Sequence, residues 1–250
     1  MSTTWDPALY LDFDDHRARP FHDLLARVRA VAPRRVVDLG CGPGNMTALL
    51  AARWPEAVLE ALDSSAEMVA AAQAAGIPAH RQAVEDWAPE PDTDVVVTNA
   101  VLQWVPSHRT LLPSWLRALP SGATFAMQVP GNFAAPSHAL ARSLAAERGI
   151  RLRGEAGVGE PAEYAALFAA AGAEADVWET TYVQRLTGED PVLHWISSTA
   201  LRPVRDALSA AEYADFTADL APRLREAYPA DAGGHTWFPF RRIFAVAQLP

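Results

Sequence analysis

The sequence has little cysteine and no lysine. Its 250 residues contain one cysteine, Cys41, which excludes an internal disulfide and any zinc cluster built from cysteines. No histidine or lysine stands near Cys41 along the chain to activate it, so we do not expect it to be a nucleophile. The basic side chains counted under lysine and arginine are all arginines, which we attribute to base composition because alanine is also abundant.

Long apolar runs and an excess of basic charge are also missing. Without a run of transmembrane length or a basic segment followed by an apolar one at the start, we expect a soluble cytoplasmic protein. The net charge of −9 argues against nucleic acid or an anionic membrane as a partner. His22, His194 and His235 lack the spacing of metal ligands, so no metal is predicted. Half of the residues are hydrophobic, which supplies a large core.

Apolar periodicity alternates along the chain between strands and helices. Strands are predicted at 34–40, 57–63, 92–101, 122–131, 173–186 and 241–249, and helices at 20–31, 45–55, 65–76, 108–119, 136–148 and 161–171. Residues 189–229 are predicted to be mostly helical. This alternation predicts an α/β fold with a doubly wound, mostly parallel sheet and a helical cap inserted before the last strand.

Helix ends and segments follow from the same pattern. Pro20 is expected to begin the first helix, Asn45 or Thr47 to cap the second, and Ser64 or Ser65 to cap the third. We expect one domain over 1–250, a monomer, in three segments. These are an N-terminal lid and helix at 1–30, a cofactor-binding core at 31–130, and remaining strands with a substrate cap at 131–250.

The stretch VVDLGCGPGNMT, residues 36–47, places three glycines directly after a predicted buried strand. In parallel sheets such a turn is a usual ligand site, although a tight turn that binds nothing is the alternative. The dinucleotide-binding pattern requires its third small residue at position 45, which is asparagine in this sequence. The carboxylate of Asp38 would also repel a pyrophosphate, whereas it attracts an ammonium group. Asp63 ends the second strand at the distance where an acidic residue binds a ribose. An amino-acid nucleoside, S-adenosylmethionine, satisfies both carboxylates.

The stretches VVDLGCGPGNMT, ALDSSAEMV and DVVVTNAVLQWV together resemble the strand motifs of class I S-adenosylmethionine-dependent methyltransferases. Further stretches, among them WDPALYLDF, LQWVP, ALRP and FPFRRIF, extend the resemblance over residues 5–244. Within the family they are similar to enzymes that esterify one carboxylate of trans-aconitate and release S-adenosylhomocysteine. The resemblance therefore implies a carboxyl O-methyltransferase with a small polycarboxylate substrate.

The resemblance also implies roles for matching residues. The family's pattern implies contacts with the methionyl group for Asp38, Gly40 and Gly42, with the ribose for Asp63, and with the region between ribose and adenine for Ser64 and Met68. Val84 and Glu85 lie in the stretch that takes the place of the adenine motif, and Asn99 is implied to face the cofactor and the reacting methyl group. Tyr10 lies in an N-terminal segment that, with Trp5, is expected to fold over the cofactor. The sequence departs from the family at Ala83, where an acidic residue is usual, so we expect Glu85 or backbone groups to recognise the adenine.

A carboxylate acceptor is already ionised at neutral pH, so no catalytic base is predicted. Its other carboxylates need partners, and arginine binds them in a planar, bidentate way. Candidate acceptor residues are Arg19, Gln103, Trp104, Tyr182, Arg202, Arg241 and Arg242. For each arginine the alternative is a solvated charge or an ion pair, and for Tyr182 it is packing.

Three alternatives stay open from the sequence. The chain can be a methyltransferase with another small acceptor. It can be a nicotinamide oxidoreductase, although Asp38 and the displaced third glycine disfavour this. It can also be a nucleoside-binding regulator without turnover, which formation of S-adenosylhomocysteine excludes.

Overall fold

The computed structural model describes residues 14–150, 157–197 and 199–250. The residues divide into two compact units. The first contains the described residues up to Val129, together with Val158–Glu179 and Ile243–Pro250. The second contains those within Pro130–Gly157 and Thr180–Arg242.

Seven strands form a single sheet, and helices separate most of them along the chain. The strands are β1 (Arg35–Leu39), β2 (Val58–Asp63), β3 (Ala79–Arg81), β4 (Thr93–Asn99), β5 (Thr124–Pro130), β6 (Glu174–Leu186) and β7 (Thr236–Gln248). The α-helices are α1 (Asp14–Leu25), α2 (Asn45–Arg53), α3 (Ala66–Ala74), α4 (His108–Ala118), α5 (Pro136–Glu147), α6 (Pro161–Ala170), α7 (Pro191–Ser197), α8 (Arg202–Ala207) and α9 (Ala210–Ala227).

The strand order is β3-β2-β1-β4-β5-β7-β6, and the five strands from β3 to β5 pair in parallel. Consecutive strands run outward in one direction from β1 to β3, and the chain then returns to the other side of β1 at β4. This reversal places the carboxyl ends of β1 and β4 where ligands bind in open α/β sheets. The predicted fold class, a doubly wound and mostly parallel sheet, is confirmed.

Several local predictions were wrong, whereas the predicted serine cap of α3 was confirmed at Ser65. α1 begins at Asp14, so Pro20 lies inside the helix rather than at its start, and α1 ends at Leu25. Neither predicted side chain caps α2, whose N-cap is Gly44 in the left-handed conformation. Of the two serines, Ser65 caps α3 by accepting from the amide of Met68. β3 was missed because three residues are too short to show a periodicity, and β7 begins five residues before position 241.

The core of the first unit packs between the sheet and helices α4 and α6. It contains aliphatic side chains of β1 and β4 and a row of aromatic rings, with Trp115 stacked on Phe125 at 6.1 Å between centroids. Burial of this apolar surface stabilises β1, and the amides of Gly40 and Cys41 in the turn that follows donate to the carbonyl of Leu62 at 2.8 and 2.9 Å. Among the described residues, no helix is long and apolar enough to cross a membrane.

The second unit consists largely of α5, α7, α8 and α9, with α9 packed against the other three. An aromatic cluster lies at its centre and consists of Trp195, Tyr228, Phe238 and Phe240. These four rings are all buried. The cluster fixes the strand segment that carries Arg241 to the helices of this unit.

Candidate active site

A pocket in the first unit lies at the carboxyl ends of β1 and β4. Its lining combines the glycine turn with the start of α2 and one residue of α1; the residues are Phe21, Asp38, Gly40, Cys41, Gly42, Pro43, Asn45, Met46 and Asn99. Four predicted cofactor residues, Asp38, Gly40, Gly42 and Asn99, therefore line one pocket.

The three glycines of the turn are needed for different reasons. All have positive φ, at 81° for Gly40, 56° for Gly42 and 87° for Gly44, which disfavours any side chain. A Cβ on Gly40 would lie 2.3 Å from Cγ2 of Val101, and one on Gly44 would lie 2.8 Å from Cγ1 of Ile77. A Cβ on Gly42 would meet no atom of the described residues within 4 Å. Gly40 and Gly44 thus permit close packing of the protein, whereas Gly42 leaves open space beside the pocket.

Asp38 is a buried carboxylate at the end of β1, 3% exposed. The hydroxyl of Thr47 donates to Oδ2 of Asp38 at 2.7 Å. Burial raises the pKa of Asp38 to about 6, the hydrogen bond from Thr47 opposes this rise, and the charge of Asp63 adds to it. No arginine or histidine among the described residues forms an ion pair with Asp38. A bound cation would therefore gain a buried anion as its partner.

Asp63 connects the glycine turn to the turn before α3. Its Oδ2 accepts from the amide of Gly42 at 3.0 Å, and its Oδ1 accepts from the amide of Ser65 at 2.9 Å. Burial raises the pKa of the Asp63 carboxyl, and the backbone hydrogen bonds oppose the rise. Each carboxylate oxygen has a second lone pair, so the carboxylate can still accept from a hydroxyl group.

The segment after β4 is strained. Ala100 has a φ of 58°, the one positive value for a residue other than glycine in the described ranges, and such a conformation costs about 1–2 kcal/mol. The side-chain amide of Gln103 donates to the carbonyl of Ala100 at 2.6 Å. Oδ1 of Asn99 and Oε1 of Gln103 are buried and have no hydrogen-bond partner within the described part of the chain. Strain and unsatisfied acceptors together make this segment a candidate part of the site.

The remaining predicted cofactor residues lie after β2 and β3. Ser64 is exposed and its carbonyl accepts from Arg81, whereas Met68 is buried in α3. Val84 is buried and Glu85 is exposed in a short 3₁₀-helix that follows β3. Tyr10, with Trp5, lies outside the described residues.

The predicted acceptor residues fall in both units. In the first unit, Arg19 is exposed on α1, while Gln103 and Trp104 are half-buried after β4. In the second unit the residues include one buried tyrosine, one buried arginine and two half-buried arginines; they are Tyr182, Arg242, Arg202 and Arg241.

Two arginines of the second unit have defined surroundings. Burial lowers the pKa of Arg202, at the first position of α8, while Asp206 opposes this shift. The guanidinium of Arg241 donates to the carbonyl of Gly131 at 3.4 Å, and the amide of Gly131 donates back to the carbonyl of Arg241 at 2.9 Å. The guanidinium of Arg242 lies 4.5 Å from the ring centre of Phe240.

The sequence did not identify three polar residues that the structure places beside predicted site residues or close to them along the chain. Thr47 was interpreted as a helix cap, but its hydroxyl serves Asp38 instead. Asn132 and His138, after β5, were not singled out, although an asparagine directly after the predicted strand 122–131 was a usable signal. Nowhere in the described ranges do histidine, cysteine, aspartate and glutamate cluster in a way that could hold a metal ion. The thiol of Cys41 is buried, which raises its pKa and keeps it protonated.

Comparison with known proteins identifies the family. Residues 13–176 match the family model described as a methyltransferase domain. The trans-aconitate 2-methyltransferase of Rhodococcus jostii is 63% identical, covering 98% of this chain and 99% of the relative. The protein of the same name from Mycobacterium tuberculosis is 54% identical, covering 98% of this chain and 97% of the relative.

Solved structures of low sequence identity share the fold. The YcgJ protein of Bacillus subtilis superposes with a TM-score of 0.61 at 15% identity, covering 93% of this chain and 98% of the other. Phosphoethanolamine N-methyltransferase 2 of Haemonchus contortus, solved with S-adenosylhomocysteine, gives a TM-score of 0.54 at 14% identity, covering 93% of this chain and 52% of the other. With the sheet order and the pocket at the ends of β1 and β4, the family model and the curated relatives named trans-aconitate 2-methyltransferase show that the chain belongs to the methyltransferase family.

Proposed function

We propose that the protein transfers the methyl group of S-adenosylmethionine to one carboxylate of trans-aconitate, giving the monomethyl ester and S-adenosylhomocysteine. The observation that carries the substrate is the 63% identity, over nearly the whole length of both chains, to a relative named trans-aconitate 2-methyltransferase. The chemistry of the pocket in the first unit supports the cofactor.

The pocket suits the methionyl end of that cofactor. The same pocket is lined by a buried carboxylate, Asp38, and by Asn99, whose Oδ1 has no hydrogen-bond partner among the described residues, and both groups are acceptors. An ammonium group carries three donors and a positive charge, which satisfies both acceptors and removes the cost of the buried anion. A phosphate group would instead be repelled by Asp38.

The nucleoside end is assigned to the turns that follow. We assign the ribose hydroxyls to Asp63, whose position at the end of β2 leaves lone pairs for them. Ser64 and Met68 are assigned to the region between ribose and adenine, and Val84 and Glu85 to the adenine. Tyr10 is assigned to cover the cofactor. Because Ala83 occupies the position where the family usually has an acidic residue, we assign recognition of the adenine ring to backbone amides of the 3₁₀-helix Val84–Asp86 or to Glu85.

The bound cofactor supplies an electrophilic methyl group on a sulfonium sulfur. With the cofactor bound, a carboxylate oxygen of the acceptor would form the new bond to this carbon, and the electron pair of the broken sulfur–carbon bond would stay on the sulfur. Because the acceptor oxygen is already deprotonated at neutral pH, the protein needs no general base. Its part is to orient the reactants and exclude water, which can supply roughly 7–11 kcal/mol of the barrier.

We assign the carboxylates that are not methylated to Arg202 and Arg241 of the second unit, with Tyr182 as a hydrogen-bond donor. Partial burial of Arg202 lowers its pKa, so its charge gains from an anionic partner. Arg19, Gln103 and Trp104 of the first unit remain predictions for the acceptor, as does Arg242.

The direct test is a panel of di- and tricarboxylic acids incubated with S-adenosylmethionine, with product esters and S-adenosylhomocysteine measured by mass spectrometry. We expect trans-aconitate to give the highest kcat/KM. If S-adenosylhomocysteine forms with another acceptor but with no polycarboxylate, the assignment as a methyltransferase stands and the assignment of trans-aconitate as its substrate is refuted. A monomeric state and a cytoplasmic location stay predictions from the sequence.

A further inference from the structure

The segment between β5 and α5 contains a buried amide that the assignments above do not use. Asn132 is 4% exposed, and its Oδ1 has no hydrogen-bond partner within the described residues. Its Nδ2 lies 3.3 Å from Nδ1 and 3.4 Å from Nε2 of His138. A buried polar group without a partner costs about 1–3 kcal/mol, so a protein that keeps one has a reason to do so.

His138 is neutral at physiological pH. Burial, and secondarily the charge of Arg142, lowers the pKa of His138 to about 4. The ring Nδ1 lies 3.0 Å from Oγ of Ser137, and the ring meets that of Phe133 edge-on at 5.8 Å. A neutral imidazole carries one N–H donor and one acceptor. It can therefore hold either the oxygen or the nitrogen of the Asn132 amide and leave the other for a ligand.

The surroundings of this amide favour an anion. Gly131, the preceding residue, is bonded in both directions to Arg241, which brings a cation to the adjacent position of the chain. The first turn of α5 contains no acidic residue, and the positive end of the helix dipole attracts negative charge. The amide of Ser137 is held by the hydroxyl of Tyr228 at 3.1 Å, so the start of α5 is fixed to the aromatic cluster.

We propose that Asn132, oriented by His138, determines acceptor specificity by donating a hydrogen bond from its side-chain amide to a carboxylate that is not methylated, next to Arg241. In this arrangement the amide turns so that Oδ1 accepts from the imidazole N–H and Nδ2 faces the acid. A neutral donor at this point orients the carboxylate without adding charge, and Arg241 supplies the charge. The inference rests on the proposed function, because it names a part of the same acceptor site.

The test compares trans-aconitate with an analogue in which one carboxylate that is not methylated is replaced by a carboxamide. Asn132→Asp exchanges the donor for an acceptor of the same shape. We expect kcat/KM for trans-aconitate to fall roughly 10- to 100-fold, mainly through KM, because a charge-assisted hydrogen bond is lost and two anions face each other. Turnover of the carboxamide should rise relative to wild type, since its NH₂ group can donate to the new carboxylate.

Controls separate this role from a structural one. The affinity for S-adenosylhomocysteine, measured by calorimetry, should stay at the wild-type value and reports that the variant is folded. If Asn132→Asp does not fold, Asn132→Ser replaces it in the test. This variant should reduce the ratio of kcat/KM for trans-aconitate to kcat/KM for the carboxamide analogue. His138→Phe should raise the KM for trans-aconitate, whereas His80→Phe, at an exposed histidine, should not.

If kcat/KM falls by the same factor for trans-aconitate and for its carboxamide analogue in the Asn132 variants, the inference is overturned. A wild-type KM in His138→Phe would also overturn it. If the wild-type enzyme methylates no polycarboxylate at all, the proposed function itself fails, which is a different result.

Discussion

The hydroxyl of Thr47 donates a 2.7 Å hydrogen bond to the carboxylate of Asp38, which is 3% exposed. One neutral hydrogen bond does not compensate a carboxylate for the loss of its water. The pKa of Asp38 therefore rises to about 6. The pocket thus holds a carboxylate that is poorly stabilised by the protein and well suited to a cationic ligand.

Asp38→Asn should stabilise the protein without ligand. The pKa of Asp38 is raised from an ordinary 3.8 to about 6, so the folded state binds more protons than the unfolded chain between these values. Stability therefore falls as pH rises through this range, and the full cost of about 3 kcal/mol is present above it. Unfolding of wild type and variant should differ most at pH 7–8 and converge below pH 4. An equal difference at every pH would contradict this.

Binding of S-adenosylmethionine should weaken as pH falls below 6. Protonation of Asp38 removes the anion that we assign to the ammonium group, and Asp63, whose pKa is also raised, loses charge in the same direction. Calorimetry should show the loss for S-adenosylmethionine but much less for adenosine, which lacks the ammonium. Asp38→Asn should remove the difference between the two ligands. If adenosine shows the same dependence, Asp38 does not bind the ammonium.

Asp63→Ala should weaken cofactor binding by roughly 1.5–3 kcal/mol, the scale of losing a charge-assisted hydrogen bond. The variant also leaves the amides of Gly42 and Ser65 without their acceptor, so the glycine turn should loosen. Titration with S-adenosylhomocysteine measures the loss. Glu67→Ala is the matched control, because this carboxylate lies exposed on the adjacent helix α3. Unchanged affinity in the Asp63 variant would remove it from the site.

Two alanine substitutions in the glycine turn should affect different properties, one chiefly the stability of the fold and the other chiefly the affinity for the cofactor. Gly40→Ala combines left-handed strain of about 1–2 kcal/mol with a clash against Val101, so it should chiefly destabilise the fold. Gly42→Ala places its methyl group more than 4 Å from any atom in the described ranges, so it should cost only the strain but lower cofactor affinity. Gly76→Ala, with a φ of 81° and no close neighbour outside the pocket, measures the strain alone. A Gly42 variant with wild-type affinity would contradict the assignment.

Arg202→Ala and Arg241→Ala should each raise the KM for trans-aconitate while cofactor affinity stays constant. Leaving a bound carboxylate without its bidentate partner costs about 2–5 kcal/mol, and lysine should restore only part because it lacks the planar fork. Discrimination against a dicarboxylate should shrink in the same variants. Arg205→Ala, at an exposed arginine of the same helix α8 as Arg202, is the control. Equal loss for both acids would show that these arginines do not contact the acceptor.

The sequence predicted most of the sheet and the position of the pocket, because both depend on local patterns. Short apolar runs identify β1 and β4, and the glycine turn between β1 and α2 carries its own signature. The use of Thr47 was not predictable, since a threonine at a helix start more often caps the helix than serves a carboxylate nine residues earlier. That choice depends on the depth at which Asp38 is buried.

Residues that act through long-range contacts were also missed. The position of Asn132 after β5 is visible in the sequence, but its burial, and an Oδ1 that has no hydrogen-bond partner among the described residues, are visible only in the fold. The left-handed conformation of Ala100 likewise contradicts its residue type, because alanine rarely adopts a positive φ. Tertiary contacts override local preference at these places, and sequence patterns fail there for that reason.

The first unit is assembled from three separate stretches of chain, and its core includes Ile243, Ala245 and Leu249 of the segment that follows residue 242. The backbone of Leu249 exchanges hydrogen bonds with Gly122 and Ala123. A chain synthesised only as far as residue 242 therefore lacks part of the core of the first unit although it already contains the whole glycine turn. The first unit can complete its core only after residues 243–250 have been synthesised, so its folding cannot finish in the order of the sequence.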